Sequence, residues 1–151
     1  MLLKHAAQGD ERIFGTYKNV EASSITTGYL VALAAAAASF DGTQACFANS
    51  GATGRQINWI GVAAKDIAPN AYGLVQQYGL CASVYLSNVG SSLTITLGDA
   101  CVPGALSGGA FCAVPTWANS GFACLVCVSF GGSLGALSAT GYMTGFMKHG
   151  L

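Results

Sequence analysis

Charge is what this sequence has least of: six Lys and Arg against six Asp and Glu in 151 residues, 8% of the chain with no net charge. No broad positive field exists to attract nucleic acid, and no acidic tail exists to solvate a partner. Long apolar runs are missing too. The longest, residues 29–40, is mostly alanine and falls short of the roughly 20 residues needed to cross a bilayer, so no membrane association is expected. The amino end, "MLLKHAAQGDERIFG", lacks the uninterrupted apolar stretch of a secretory signal, and no export signal is expected. No lysine is followed by Ser or Thr, which excludes a P-loop, and no G-x-G-x-x-G or N-x-S/T sequon occurs.

The inventory for catalysis is equally thin. "GGSLG" (131–135) matches a nucleophile elbow in form, but no Asp or Glu follows Ser133 and only His149 lies beyond it. Asp41, Asp66 and Asp99 are scattered over turn-like positions, where turn formation is the simpler reason for a carboxylate. "CLVC" (124–127) has C-x-x-C spacing inside an apolar strand pattern, where its two sulfurs would point to opposite faces. Zinc would need a second ligand pair, and Cys46, Cys81, Cys101 and Cys112 stand alone. All six cysteines read as small buried hydrophobes; their even number permits disulfides, and the missing export signal favours the reduced state. His5 and His149 lie near opposite chain ends and read as solvated, with convergence on a metal the other reading. No catalytic residue, metal or cofactor is therefore expected.

What is present is apolar and flexible: 52% hydrophobic residues and 21 glycines. That pairing points to short strands and tight turns, an all-β fold of one domain. Period-2 runs place about nine strands at 28–33, 43–48, 57–64, 72–78, 80–86, 93–97, 110–114, 122–130 and 141–147. Spacers such as "NSGATG", "APN" and "SNVGSS" supply turn residues. The alanine run at 34–38 is compatible with either a helical turn or a loose small-residue segment. Half of all charged residues lie in the first 21 positions, which predicts an extended amino-terminal arm over residues 1–21 ahead of a β domain at 22–151.

A faint duplication runs through that domain. "ITTGYLVA" (25–32) aligns with "ITLGDACV" (95–102), and each is followed by a cysteine-bearing strand, a Gly/Asn/Ser loop, a strongly apolar strand and a Tyr/Gly strand. Two similar β units, about 22–80 and 92–151, would make a small sandwich or barrel, jelly-roll-like in its strand number. For a surface partner, the candidate contact residues are Lys4, Asp10, Glu11 and Arg12 of the arm and the aromatics Trp59, Tyr72, Tyr78, Trp117 and Phe122.

The segments "TTGYLVAL" (26–33), "IGVAAKDIA" (60–68) and "YGLVQQYG" (72–79), with "GAL" (135–137) before a terminal strand, resemble the head decoration, or cement, proteins of tailed bacteriophages. The resemblance covers most of residues 20–151. It implies a structural virion protein, made in the host cytoplasm, that sits on the outer capsid surface and clamps neighbouring major capsid protein subunits. It also implies a homotrimer. The alternative reading is a tail- or fibre-associated or carbohydrate-binding β module, which would need a concave site lined by exposed aromatics.

Overall fold

A computed structural model describes residues 11–34, 42–47, 59–86, 100–103, 112–113, 125–130 and 141–147, and these residues are all-β, with strands, turns and bends and no helix. The strands are β1 (Ile13–Asn19), β2 (Leu30–Leu33), β3 (Gln44–Phe47), β4 (Trp59–Ala63), β5 (Tyr72–Leu86), β6 (Ala100–Pro103), β7 (Cys112–Ala113), β8 (Leu125–Phe130) and β9 (Gly141–Met147).

The first five strands close into a barrel. β1 pairs in parallel with β3, β3 antiparallel with β2, β2 with β4, β4 with β5, and β5 returns antiparallel to β1. Closure satisfies the backbone donors and acceptors that an open sheet would leave at its edges. The interior is filled by Ile25, Val31, Ala45, Ile60, Ala63, Ile67 and Val75, with Tyr17, Tyr29 and Leu33 packed against them. Most of these are β-branched or small, as a narrow barrel needs. The fit is tightest at Gly61, where a Cβ would strike the Gln76 carbonyl and lie 2.8 Å from Val75 Cγ1.

Among the described residues Asn19 is the one fully buried polar side chain near this core, and its hydrogen bonds explain why it is tolerated. Its Nδ2 donates to the carbonyls of Ser23 (2.9 Å) and Ile67 (2.8 Å), and its Oδ1 accepts from Glu21 N at 2.8 Å. Ile67 also bridges Ile25 through paired main-chain bonds. The reversal expected at Pro69-Asn70 is present: Ala71 N bonds Ala68 O at 3.1 Å, with Asn70 at φ 59°. Proline first and a left-handed residue second is the type II pattern.

β5 is the longest element, 15 residues. Where the sequence suggests two strands, 72–78 and 80–86, the chain runs through Gly79 at φ 94° without a break. Up to Tyr78 the strand pairs with β1 and β4, and from Gly79 onward it pairs with β9. Gln76 steadies the change of direction, its Nε2 donating to the carbonyls of Tyr78 (3.2 Å) and Leu80 (3.0 Å), on either side of the glycine. The later pairings repeat the earlier order: β5 parallel to β7, then β7–β6, β6–β8, β8–β9 and β9–β5, all antiparallel.

Two further elements differ from the sequence expectation. Residues Ile13–Asn19, read as part of an extended arm, form β1 of the barrel. Of the charges in the first 21 residues only Lys18 lies within this strand, and inside it Gly15, Tyr17 and Asn19 are more buried than Phe14 and Thr16. Ala100–Pro103 forms β6, where no strand was expected; the expected strand at 93–97, like residues 1–10 and the alanine run from 35 onward, lies outside the described residues.

Candidate interaction surfaces

The outer face of β1 and β5 carries exposed apolar side chains in a stripe. Register places Thr16 opposite Leu74, Phe14 opposite Gln76 and Lys18 opposite Tyr72. Tyr72 is 64% exposed, Ile13 49%, Leu74 47% and Phe14 44%. Ile13 and Phe14 are consecutive and both exposed because the ladder slips between them, where Ile13 faces Tyr78 and Phe14 faces Gln76. The odd residue, Gln77, turns its amide to Tyr17, with Nε2 donating to the hydroxyl oxygen at 2.7 Å.

A second aromatic group lies toward the other end of β5. Tyr29, Tyr85 and Tyr142 form a chain of rings, with centroids 5.0 Å apart for the first pair and 5.3 Å for the second. The Gly28 carbonyl accepts from Tyr85 N at 2.9 Å, so the corner before β2 docks on the far half of β5. Gly28 has φ 85°, and a Cβ there would lie 3.1 Å from Ser83 O and from Tyr142 Cε1. Burial, then the neighbouring Tyr85 and Tyr142, push the Tyr29 hydroxyl above the usual tyrosine range. Nearby, Tyr78 meets Phe146 edge-on at 5.6 Å, and Phe146 and Tyr142 keep exposed outer edges.

Of the residues singled out from the sequence, Tyr72 lies in the exposed stripe and Tyr78 is half-buried against Phe146. Trp59 opens β4 and is half-buried. Glu11 and Arg12 are exposed just before β1, where a Cβ on Gly79 would collide with the Glu11 carbonyl. Lys4, Asp10, Trp117 and Phe122 lie outside the described residues, as do Ser133, His5, His149, Asp41, Asp99 and Cys124. Sequence reasoning missed Ile13, Phe14, Leu74, Tyr29, Tyr85, Tyr142 and Phe146. The alternation in "IFGTYKN" and the tyrosines near the starts of "YGLVQQ" and "GYMTGF" were the available signals.

Asp66 accepts from Thr27 N and Thr27 Oγ1, both at 2.7 Å, and these bonds, the main-chain one first, hold its carboxyl below the usual carboxylate range. The carboxylate thereby ties the β4–β5 turn to the segment before β2. Cys46 and Cys81 are buried. Burial pushes the Cys81 thiol up, against the smaller opposing influences of a main-chain hydrogen bond at Ser83 and the charge of Arg12. Among the described residues no three His, Cys, Asp or Glu side chains gather where a metal could bind. Comparison with protein-family models, curated proteins and solved structures found no match.

Proposed function

We propose that this chain is a structural virion protein of the head decoration class, bound to the outside of a phage capsid and clamping neighbouring major capsid protein subunits without catalysing a reaction. The observation that carries this reading is the exposed apolar stripe on a charge-poor, closed barrel, because permanent assemblies rely on apolar faces of this kind. Three of the segments that carry the resemblance, 26–33, 60–68 and 72–79, fall on successive ring neighbours, β2, β4 and β5. A protein bound across several shell subunits stabilises the assembled state by mass action, since its binding energy is lost when they separate. Low charge suits an exterior position, whereas a lining protein in contact with DNA would carry a basic surface.

In this reading the whole chain is two similar β units of about nine strands, fused through β5, with β1 belonging to the first unit. The tail-fibre or carbohydrate-binding alternative draws on the Tyr29–Tyr85–Tyr142 rings, which resemble an aromatic platform. Quantitative mass spectrometry of purified particles separates the two. Hundreds of copies per particle are expected for a head protein, and a handful would overturn the head assignment in favour of the tail.

A further inference from the structure

We propose that the main-chain edge of β1 at Phe14 and Thr16 is a strand-addition site, which takes an extended, uncharged segment of another protein through main-chain hydrogen bonds. The seam between β1 and β3 carries the inference. β1 pairs with β5 from Ile13 to Lys18, but with β3 only at Lys18↔Gln44 and Asn19↔Ala45. Parallel register would put residue 42 opposite Thr16. Gly42 stands there at φ 82°, exposed, with open space where a Cβ would be, so the chain leading into β3 leaves the ladder at that point.

The direction of the main-chain groups follows from the bonds farther along. Lys18 N and Val20 N donate to the carbonyls of Thr43 (2.8 Å) and Ala45 (3.1 Å) on the β3 side, while Asn19 N donates to the Ala71 carbonyl (2.9 Å) beside β5. Main-chain groups alternate sides along a strand, so Gly15 and Tyr17 point into β5, and Phe14 and Thr16 turn their N–H and C=O groups the other way. Among the described residues nothing pairs with those groups. Exposed sheet edges are ordinarily blunted by charge or proline, and "IFGTY" (13–17) contains neither.

The groups on the edge define what fits it. N–H and C=O pairs on alternate residues, roughly 7 Å apart, match an extended main chain. The second half of β5 provides a precedent: Tyr85 N donates to the Gly28 carbonyl at 2.9 Å, and a Cβ on Gly28 would lie 3.1 Å from Ser83 O, so main chain from outside the ladder covers that stretch. An added strand would set its outward side chains beside Phe14, which is 44% exposed, and apolar residues suit that place. A charged segment would find no counter-charge between Ile13 and Tyr17. This inference does not rest on the capsid reading, since a fibre or binding module could hold a partner's strand in the same way.

The test is residue-resolved amide exchange by NMR on the purified full chain, alone and with a short synthetic peptide of alternating valine and threonine as the probe. Alone, the Phe14 and Thr16 amides are expected to exchange at least about tenfold faster than those of Gly15 and Tyr17, which lie in the β5 ladder. Excess peptide is expected to slow Phe14 and Thr16 by at least about tenfold, and the same peptide N-methylated at every amide to have no effect. Thr16→Pro removes the open N–H without removing a ladder bond, so this variant should keep its melting temperature and lose the response of Phe14 to the peptide. Equal protection of all four amides in the free chain overturns the inference, as does exchange indifferent to the peptide, or slowing that survives N-methylation. Protection of Phe14 and Thr16 that grows with protein concentration alone would assign the edge to a second copy and overturn the partner proposed. The wild-type measurements decide the matter even if Thr16→Pro fails to fold.

Discussion

The two halves of β5 do different things with the same backbone. Its first half is a wall of the closed barrel, with Val75 inside and Tyr72 and Leu74 outside. Its second half passes to new partners and is roofed by the tyrosine corner of that same barrel. Gly79 divides the two, and the difference shows how one strand can serve two sets of neighbours. A positive φ redirects the ladder, Gln76 satisfies the carbonyls on either side, and the absent Cβ lets Glu11 approach.

The largest effect is expected from breaking that division. Gly79→Val places a β-branched residue at φ 94° with its Cβ against the Glu11 carbonyl, and should cost about 3 kcal/mol or more. Urea denaturation would show it as a lower midpoint, and an unchanged midpoint would remove Gly79 from its role as the pivot.

Next comes the first barrel alone. Gly61→Ala drives a methyl into the Gln76 carbonyl, main chain that cannot swing aside, at a cost of about 2–3 kcal/mol. Asn19→Ala leaves the Ser23 and Ile67 carbonyls and the Glu21 N–H short of a partner, for about 2 kcal/mol. Both are read from thermal melts with a matched surface variant.

The bridge between the halves is weaker. Tyr29→Leu keeps apolar bulk but loses the ring contacts, worth about 1 kcal/mol, and should raise amide exchange at Tyr85 more than at Val75. Equal changes at both amides would mean that the halves do not respond separately.

The smallest effect concerns the Asp66 clamp. Because its folded pKa is depressed by the Thr27 bonds, its contribution is fully present above the ordinary carboxylate range and fades as pH falls through the folded value. Asp66→Asn should flatten that acid-side slope in a pH series of melts, and an identical slope would count against the clamp. The side chain is fully exposed, which keeps the change slight.

Much of the strand pattern was legible, because period-2 apolar runs bounded by turn residues survive as β2, β3, β4, β5, β7, β8 and β9, though often shorter than expected. β1 was hidden by its setting: charges on both flanks and Lys18 within it resemble a solvated arm, and only pairing with β3 and β5 makes it a wall. β6 was hidden by its brevity and its terminal Pro103. Barrel closure depends on contacts far apart in sequence, which no local pattern encodes.

The exposed stripe was only partly readable. Tyr72 was singled out, but Leu74 and Phe14 look identical to core residues when both faces of a strand are apolar, because alternation then gives no orientation. Register and bulge, not composition, decide that they face outward.

A density map of the intact phage head tests the proposed function most directly. The prediction is density for this chain on the outer surface, bridging neighbouring major capsid protein subunits. Density lining the interior, or confined to the tail, would contradict it.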